Sequence, residues 1–435
     1  MAAGWEAMRQ VLKAPRTLEG VVSLPGDKSI SHRAVILNGI ARGEARVANF
    51  AKSADCLATV SCMRALGVVI EPQGRSGLFV QGAGDKGLKE AEDVLSAENS
   101  ATTMRILAGL LAAQPFLSVI TGDVSLRARP MDRVIQPLRL MGAQIWGRDN
   151  DSRAPLVIKG GGLHGIRYTL PVASAQLKSA LLLAGLYAKG ESVIVEPMPS
   201  RDHTERMLRA MGAKIQVKGN AISISPSGLK ALDIVVPGDI SSAAFWLVAG
   251  AIHPHASIQM RSVGVNPTRS GILDVLKSMG AILTVENERL VGGEPVADIK
   301  VQSSHLIGIE IGGELIPRVI DEIPLIALAA SVARGKTVIR GAQELRVKET
   351  DRISATVKEL SKLGADVEEL PDGMVVRGKK KLRGASCDSH GDHRLAMMLG
   401  IAALIAEGET RIDNAEVVNI SYPKFWLDLK RLSSD

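Results

Sequence analysis

A helix rich in alanine, leucine and glycine, followed by a short strand, recurs six times along this 435-residue chain, and no other feature restricts its fold as much. The pattern predicts helices over 31–42, 102–113, 175–189, 241–252, 323–334 and 393–407. Gly43, Gly190, Gly335 and Gly408 end four of them as C-cap glycines, and Pro115 and Pro254 stop the other two. Strands follow at 45–48, 116–120, 193–195, 257–260, 337–339 and 410–412. A second, amphipathic helix then runs into a Leu/Met-Gly-Ala/Val turn at Gly67, Gly142, Gly212, Gly280 and Gly364. The sixth unit lacks this turn because the chain ends inside the helix. The turns recur every ~70 to 85 residues, too far apart for a solenoid, so each unit is a module of strands and two helices.

The first helix of each unit is apolar nearly all round and belongs inside, whereas the second keeps a polar side and belongs over a sheet. Helices buried within sheets give an inside-out, barrel-like α/β domain. A chain of this length exceeds one core, so the six units divide three and three. The second domain opens at Pro237-Gly238-Asp239-Ile240-Ser241-Ser242, and the strand before Lys28 belongs with it. The expected division is therefore 26–237 against 1–25 plus 238–435, with two chain crossings as a hinge and a cleft between the domains.

Composition narrows the partner. Aromatic residues make up only 3% of the chain, too few for base-stacking platforms, so no nucleic acid is expected. The net charge of +7 is spread out, and Gly378-Lys379-Lys380-Lys381 reads as a solvated hairpin turn. Scattered cations suit small anionic substrates. Cys56, Cys62 and Cys387 form no Cys-x-x-Cys pair and no His cluster at zinc spacing surrounds them, so they read as reduced bystanders and no metal site is expected. Residues 1–11 lack an apolar segment, and the longest apolar stretch, 395–406, falls short of the ~20 residues of a membrane span. A cytoplasmic monomer without membrane contact is the expectation.

Polar residues collect at one place in every unit, the start of the apolar helix. Pro25-Gly26-Asp27-Lys28-Ser29-Ile30-Ser31-His32-Arg33 puts two cations and two hydroxyls in a first helical turn, with Ser29 and Ser31 suited to capping. Free N–H groups and the positive end of the helix dipole point where Lys28 and Arg33 reach. Asn99, Ser100, Thr102 and Arg105 stand at the second start, Ser174 and Gln176 at the third, Ser241 and Ser242 at the fourth. Asp321 and Glu322, then Asp392, His393 and Arg394, complete the set. Two facing surfaces of parallel helix starts form an electropositive cleft.

Arg127-Ala128-Arg129-Pro130-Met131 and Arg346-Val347-Lys348-Glu349-Thr350-Asp351-Arg352 concentrate charge with no matching helical stripe and are expected to line that cleft. A Glu beside Lys and Arg can act as an acid next to cations that hold phosphate or carboxylate; the plain alternative is a surface salt-bridge network. Two imitations are set aside. Gly82-Ala83-Gly84-Asp85-Lys86-Gly87 resembles a dinucleotide fingerprint but has no acidic residue about 20 positions on. Gly335-Lys336-Thr337 imitates a P-loop ending, yet Ala330 replaces the leading glycine and the order is helix to strand. His203 and His393 lack a second ligand at metal spacing, so hydrogen bonding is the expected role.

Taken together, residues 25–33, Arg129-Pro130-Met131, Ala173-Ser174-Ala175-Gln176, Asp321, residues 346–352 and Asp392-His393-Arg394 resemble the 5-enolpyruvylshikimate-3-phosphate (EPSP) synthase family nearly end to end. That resemblance implies two inside-out α/β domains, each of three βαβαββ units. It implies transfer of the enolpyruvyl group of phosphoenolpyruvate to the 5-hydroxyl of shikimate 3-phosphate, with release of phosphate, no cofactor and no metal. Lys28, Arg129, Lys348, Arg352 and Arg394 would hold phosphoenolpyruvate, with Gln176 and Ala101 beside it. Lys28, Ser29, Arg33, Ser174, Gln176, Arg201, Asp321 and Lys348 would hold shikimate 3-phosphate, with Ala175 contributing its backbone. Glu349 would be the acid and Asp321 the base, Lys28 sharing proton transfer.

Three departures stand out. Glu98-Asn99-Ser100-Ala101-Thr102 replaces the frequent Gly-Asn-Ala/Ser-Gly-Thr. The Ala101 methyl implies tolerance of the inhibitor glyphosate, and Glu98 is expected to bring a carboxylate near an anion site. Asn419-Ile420-Ser421-Tyr422 stands where some members carry a Lys, leaving Lys424 as a candidate replacement. The nearest rival is the UDP-N-acetylglucosamine enolpyruvyl transferase family, which calls for Lys-Asn at Lys28-Ser29 and an acidic loop cysteine. A non-catalytic anion-binding or RNA-binding repeat protein is the rival from another class.

Overall fold

The computed structural model describes residues 8–84, 87–378 and 381–434. Residues 1–7, Asp85, Lys86, Lys379, Lys380 and Asp435 lie outside them, and with them parts of the N-terminal segment, of the fingerprint-like stretch and of the lysine turn.

Six apolar helices run Lys28–Ile40, Ala101–Ala112, Ala175–Gly185, Ile240–Ile252, Ile323–Val332 and His393–Ala403. They are buried on nearly every side, as a helix without a polar stripe must be. The first three anchor one hydrophobic core, which draws on residues between Ile30 and Val236. The last three anchor a second, which draws on Leu18, Val22 and Leu24 and then on residues from Ile240 to Leu432. Packing inside each core is close: a Cβ at Gly109 would lie 2.0 Å from the Ala180 carbonyl, so the helices holding them touch backbone to backbone.

Among the described residues, six mixed sheets surround these helices, none a closed barrel. The strand after each buried helix takes an inner position. Glu44–Ala48, for example, pairs antiparallel with Gly77–Gln81 and parallel with Ile234–Val235, so the end of the first half returns to its beginning. Thr17–Val22 runs parallel to Ala256–Gly264, and Gln10–Lys13 antiparallel to Glu409–Asp413, which ties the first strands to the second half.

Pro-Gly-Asp occurs at both places where the chain passes between the cores. Asp27 and Asp239 each cap the buried helix that follows, accepting from the Ile30 and Ser241 N–H groups. Asp27 therefore takes the cap expected of Ser29 or Ser31, and the helix starts at Lys28; Ser31 lies buried inside it and accepts from the Ala51 N–H at 3.0 Å. The chain also does not end inside its last helix. Phe425–Leu432 is complete, and Ser433–Ser434 then pairs with Thr17 and Leu18. Among the described residues, no helix is long and apolar enough to cross a membrane.

Candidate active site

A cleft of about 550 Å³ opens between the two cores. Helix starts from both sides reach it. Lys28, Ser29, Ala101, Ser174, Ala175 and Gln176 line it from the first half, with Arg129 and Arg201 from loops. Asp321, Lys348, Glu349, Arg352 and Arg394 line it from the second half. Residues drawn from positions 28 to 394 thus converge on one space.

Arg33 is the exception. Its guanidinium is buried and donates to Thr204 Oγ1 at 2.6 Å, Ser179 Oγ at 2.8 Å and the Ser29 carbonyl at 2.9 Å, so it braces the helix start from behind. Burial pulls it down to about 10. The charged run at 346–352 divides in two. Lys348, Glu349 and Arg352 face the cleft, whereas Arg346 pairs with Asp351 at 2.7 Å and Glu369 at 2.9 Å in a surface network. Glu98 has a left-handed backbone, is exposed and outside the cleft lining, and accepts from Ser96 Oγ at 2.8 Å. Lys424 is likewise exposed and outside the lining; Ser421 forms that part of the wall.

Two carboxylates of the second half lie among cations and share Arg352. Glu349 accepts from Arg352 at 2.6 Å and lies 3.6 Å from Arg129 of the other half. Burial alone would raise it, yet Arg352, Arg129 and Lys28 hold it well below the usual carboxylate range. Asp321 accepts from Arg201 of the other half and lies 3.4 Å from Arg352 and 3.7 Å from Arg394. Burial opposes its charge too, but Arg394, Arg201, Lys348 and Arg269 hold it well below the usual range. Both are carboxylates.

The lysines differ. Burial works against the Lys28 ammonium, but Asp55 at 2.8 Å outweighs it and the net shift is upward. Among the described residues Lys348 has no such close partner; burial and the Arg352 charge bring it down despite Asp321. His393 lines the cleft with both ring nitrogens buried and unpartnered, and burial pushes it well below its ordinary value, so its ring is neutral.

Several lining residues escape a sequence reading. Asp55 lies on the amphipathic Ala54–Ala65 helix and looks like an ordinary first-turn acid. Arg269 precedes a helix in an unremarkable loop, yet is buried and pairs with Glu322 at 3.2 Å. Arg105 was visible at a helix start; it donates to Gln176 Oε1 at 2.7 Å and fixes that amide, whose Nε2 donates to Thr102 at 3.0 Å. Arg133 and Glu344 bridge the halves at the mouth, 3.0 Å apart.

Known proteins match this arrangement from end to end. The family model for EPSP synthase (3-phosphoshikimate 1-carboxyvinyltransferase) matches residues 12–429. The 3-phosphoshikimate 1-carboxyvinyltransferase of Desulforudis audaxviator is 56% identical over 411 residues, covering 94% of this chain and 96% of that protein. That of Roseiflexus castenholzii is 54% identical over 430 residues, covering 98% and 100%. The EPSP synthase of Acinetobacter baumannii, solved at 2.37 Å, superposes with a TM-score of 0.89 at 45% identity, covering 98% of both chains. With two α/β domains, a cleft lined by cations from both, and this agreement over its whole length, the chain belongs to the EPSP synthase family.

Proposed function

We infer that this protein transfers the enolpyruvyl group of phosphoenolpyruvate to the 5-hydroxyl of shikimate 3-phosphate, giving 5-enolpyruvylshikimate 3-phosphate and phosphate, a step of aromatic amino acid biosynthesis. One observation carries the assignment of roles: Glu349 and Asp321 lie in one cleft, each held by an arginine from the opposite half. The reaction needs a proton delivered to the methylene carbon of phosphoenolpyruvate and one removed from the attacking hydroxyl, hence an acid and a base on two sides of the reacting atoms.

In the proposed mechanism, phosphoenolpyruvate docks against Lys28, Arg129, Lys348, Arg352 and Arg394, beside Gln176 and Ala101. Its phosphate and carboxylate then compete with Glu349 for Arg352 and Arg129. Loss of those partners raises the Glu349 carboxyl toward protonation, which turns a resting carboxylate into an acid. Shikimate 3-phosphate docks against Ser29, Ser174, the Ala175 backbone, Gln176, Arg201 and Lys348. Its phosphate draws Arg201 away from Asp321, whose carboxylate gains basicity toward the 5-hydroxyl. The Lys28 ammonium touches both substrates and shares the proton delivered to carbon. The 5-oxygen bonds to C2 as C3 becomes a methyl group; elimination then breaks the C2–O bond to phosphate as a methyl proton returns to the enzyme.

Closure over the two Pro-Gly-Asp crossings, taken as a hinge between 26–237 and 1–25 plus 238–435, excludes water from the intermediate. The Ala101 methyl at the cleft wall supports tolerance of glyphosate. Burial pushes Cys56, Cys62 and Cys387 up to about 12, which speaks against a cysteine acid of the nucleotide-sugar type. The proposal extends to a cytoplasmic monomer acting on these small anions. Phosphate release from phosphoenolpyruvate tests it: release that depends on shikimate 3-phosphate and is lost in Glu349→Gln is the expected result, and release indifferent to shikimate 3-phosphate contradicts it.

A further inference from the structure

We propose that Lys178 and Glu196, which lie behind the cleft and do not line it, are positioning residues for the loop that carries Ser200 and Arg201 to the shikimate 3-phosphate side. The inference rests on the functional reading above. Lys178 is fully buried on Ala175–Gly185, two residues beyond Gln176. Its ammonium lies 2.8 Å from Glu196 Oε2, 2.6 Å from Glu205 Oε1 and 3.4 Å from the Ser200 carbonyl. An ammonium has three donors, so none is left for a ligand.

Glu196 follows the Ser192–Val195 strand and is buried. Its other oxygen accepts from the Ser200 N–H at 3.1 Å and from the Ser200 hydroxyl. One carboxylate thereby closes the loop on itself and, through Lys178, ties it to the helix whose first turn presents Ser174, Ala175 and Gln176 to the same wall. Burying a lysine between two glutamates is a costly way to fill a core, since apolar residues of similar volume pack as well or better. What the ions add is register: the loop and the helix start cannot shift independently.

Glu205 provides an internal control. It shares Lys178 but sits on His203–Ala210, beyond the loop, and its second oxygen is unpartnered. Glu205→Gln therefore weakens the same ion cluster without releasing Ser200. Glu196→Gln places an NH2 group against either Lys178 or the Ser200 N–H, so one junction is lost.

The test measures KM for each substrate, kcat and Tm for Glu196→Gln, Glu205→Gln and Lys178→Met. The expected result is a KM for shikimate 3-phosphate raised about tenfold or more in Glu196→Gln, against little change for phosphoenolpyruvate, as misplacement of a binding group by an ångström predicts. Glu205→Gln is expected to lower Tm and leave both KM values near wild type. A wild-type KM for shikimate 3-phosphate in Glu196→Gln overturns the inference, as does an equal rise in Glu205→Gln. Should Lys178→Met fail to fold, the two glutamine variants decide alone. Turnover by the wild type with a null result in Glu196→Gln sinks only the positioning role; no turnover with shikimate 3-phosphate in the wild type sinks the functional reading as well.

Discussion

Asp27 and Asp239 hold the two chain crossings together as mirror images. Asp27 N–H donates to the Pro237 carbonyl at 2.8 Å, and Asp239 N–H donates to the Pro25 carbonyl at 3.0 Å. Their carboxylates are buried close enough to repel. Asp239 is pushed up to about 6, by burial first and then by Asp27, against the pull of Arg269, Arg394 and the Ser241 N–H. Asp27 stays below its ordinary value, since His203, Arg269, the Ile30 N–H and Arg201 outweigh its burial. An aspartate raised in the folded state contributes stability below its unfolded value, about 4, and loses it as pH climbs through about 6.

Asp239→Asn keeps a capping oxygen and removes the charge. It is expected to raise Tm above wild type at pH 8, and the advantage is expected to shrink as pH falls through about 6 toward 4. Thermal melts across that range check this. A gain that persists unchanged at pH 4 contradicts it.

Glu349→Gln cannot supply a proton yet keeps a hydrogen-bond acceptor for Arg352. A fall in kcat of about 10²- to 10⁴-fold is expected, with substrate binding by calorimetry largely kept. Binding lost in proportion to kcat would assign Glu349 to anion-site architecture instead.

Asp321→Asn removes the proposed base and frees Arg201, Arg352 and Arg394 from a negative neighbour. A kcat loss of about 10²- to 10⁴-fold is expected, while affinity for shikimate 3-phosphate stays the same or tightens. Parallel titration of binding and turnover separates the two effects.

Ala101→Gly removes the methyl at the cleft wall. Because Ala101 begins the Ala101–Ala112 helix, the substitution costs little helix stability. The inhibition constant for glyphosate, competitive with phosphoenolpyruvate, is expected to fall by tenfold or more, about 1.4 kcal/mol. Tight inhibition of the wild type contradicts the proposed tolerance.

Much of the site was legible because the repeat marks where to look. The apolar helices announce themselves by composition, and polar side chains at their starts, Lys28, Ser174, Asp321 and Arg394 among them, meet in one cleft. What stayed hidden lies in contacts between units. Asp55 and Arg269 occupy ordinary positions in sequence and gain meaning only beside Lys28 and Glu322. Arg33 misleads for the converse reason: it stands one turn beyond Lys28 and Ser29, but that turn points it at Thr204 and Ser179. Ser29 and Ser31 likewise look like caps, yet Asp27 arrives first, fixed by the crossing it belongs to.

The most direct test of the acceptor assignment places shikimate 3-phosphate and UDP-N-acetylglucosamine in parallel reactions with phosphoenolpyruvate and follows the product by mass. The enolpyruvyl group is expected on shikimate 3-phosphate alone; its appearance on the nucleotide sugar, with shikimate 3-phosphate unchanged, would contradict the account.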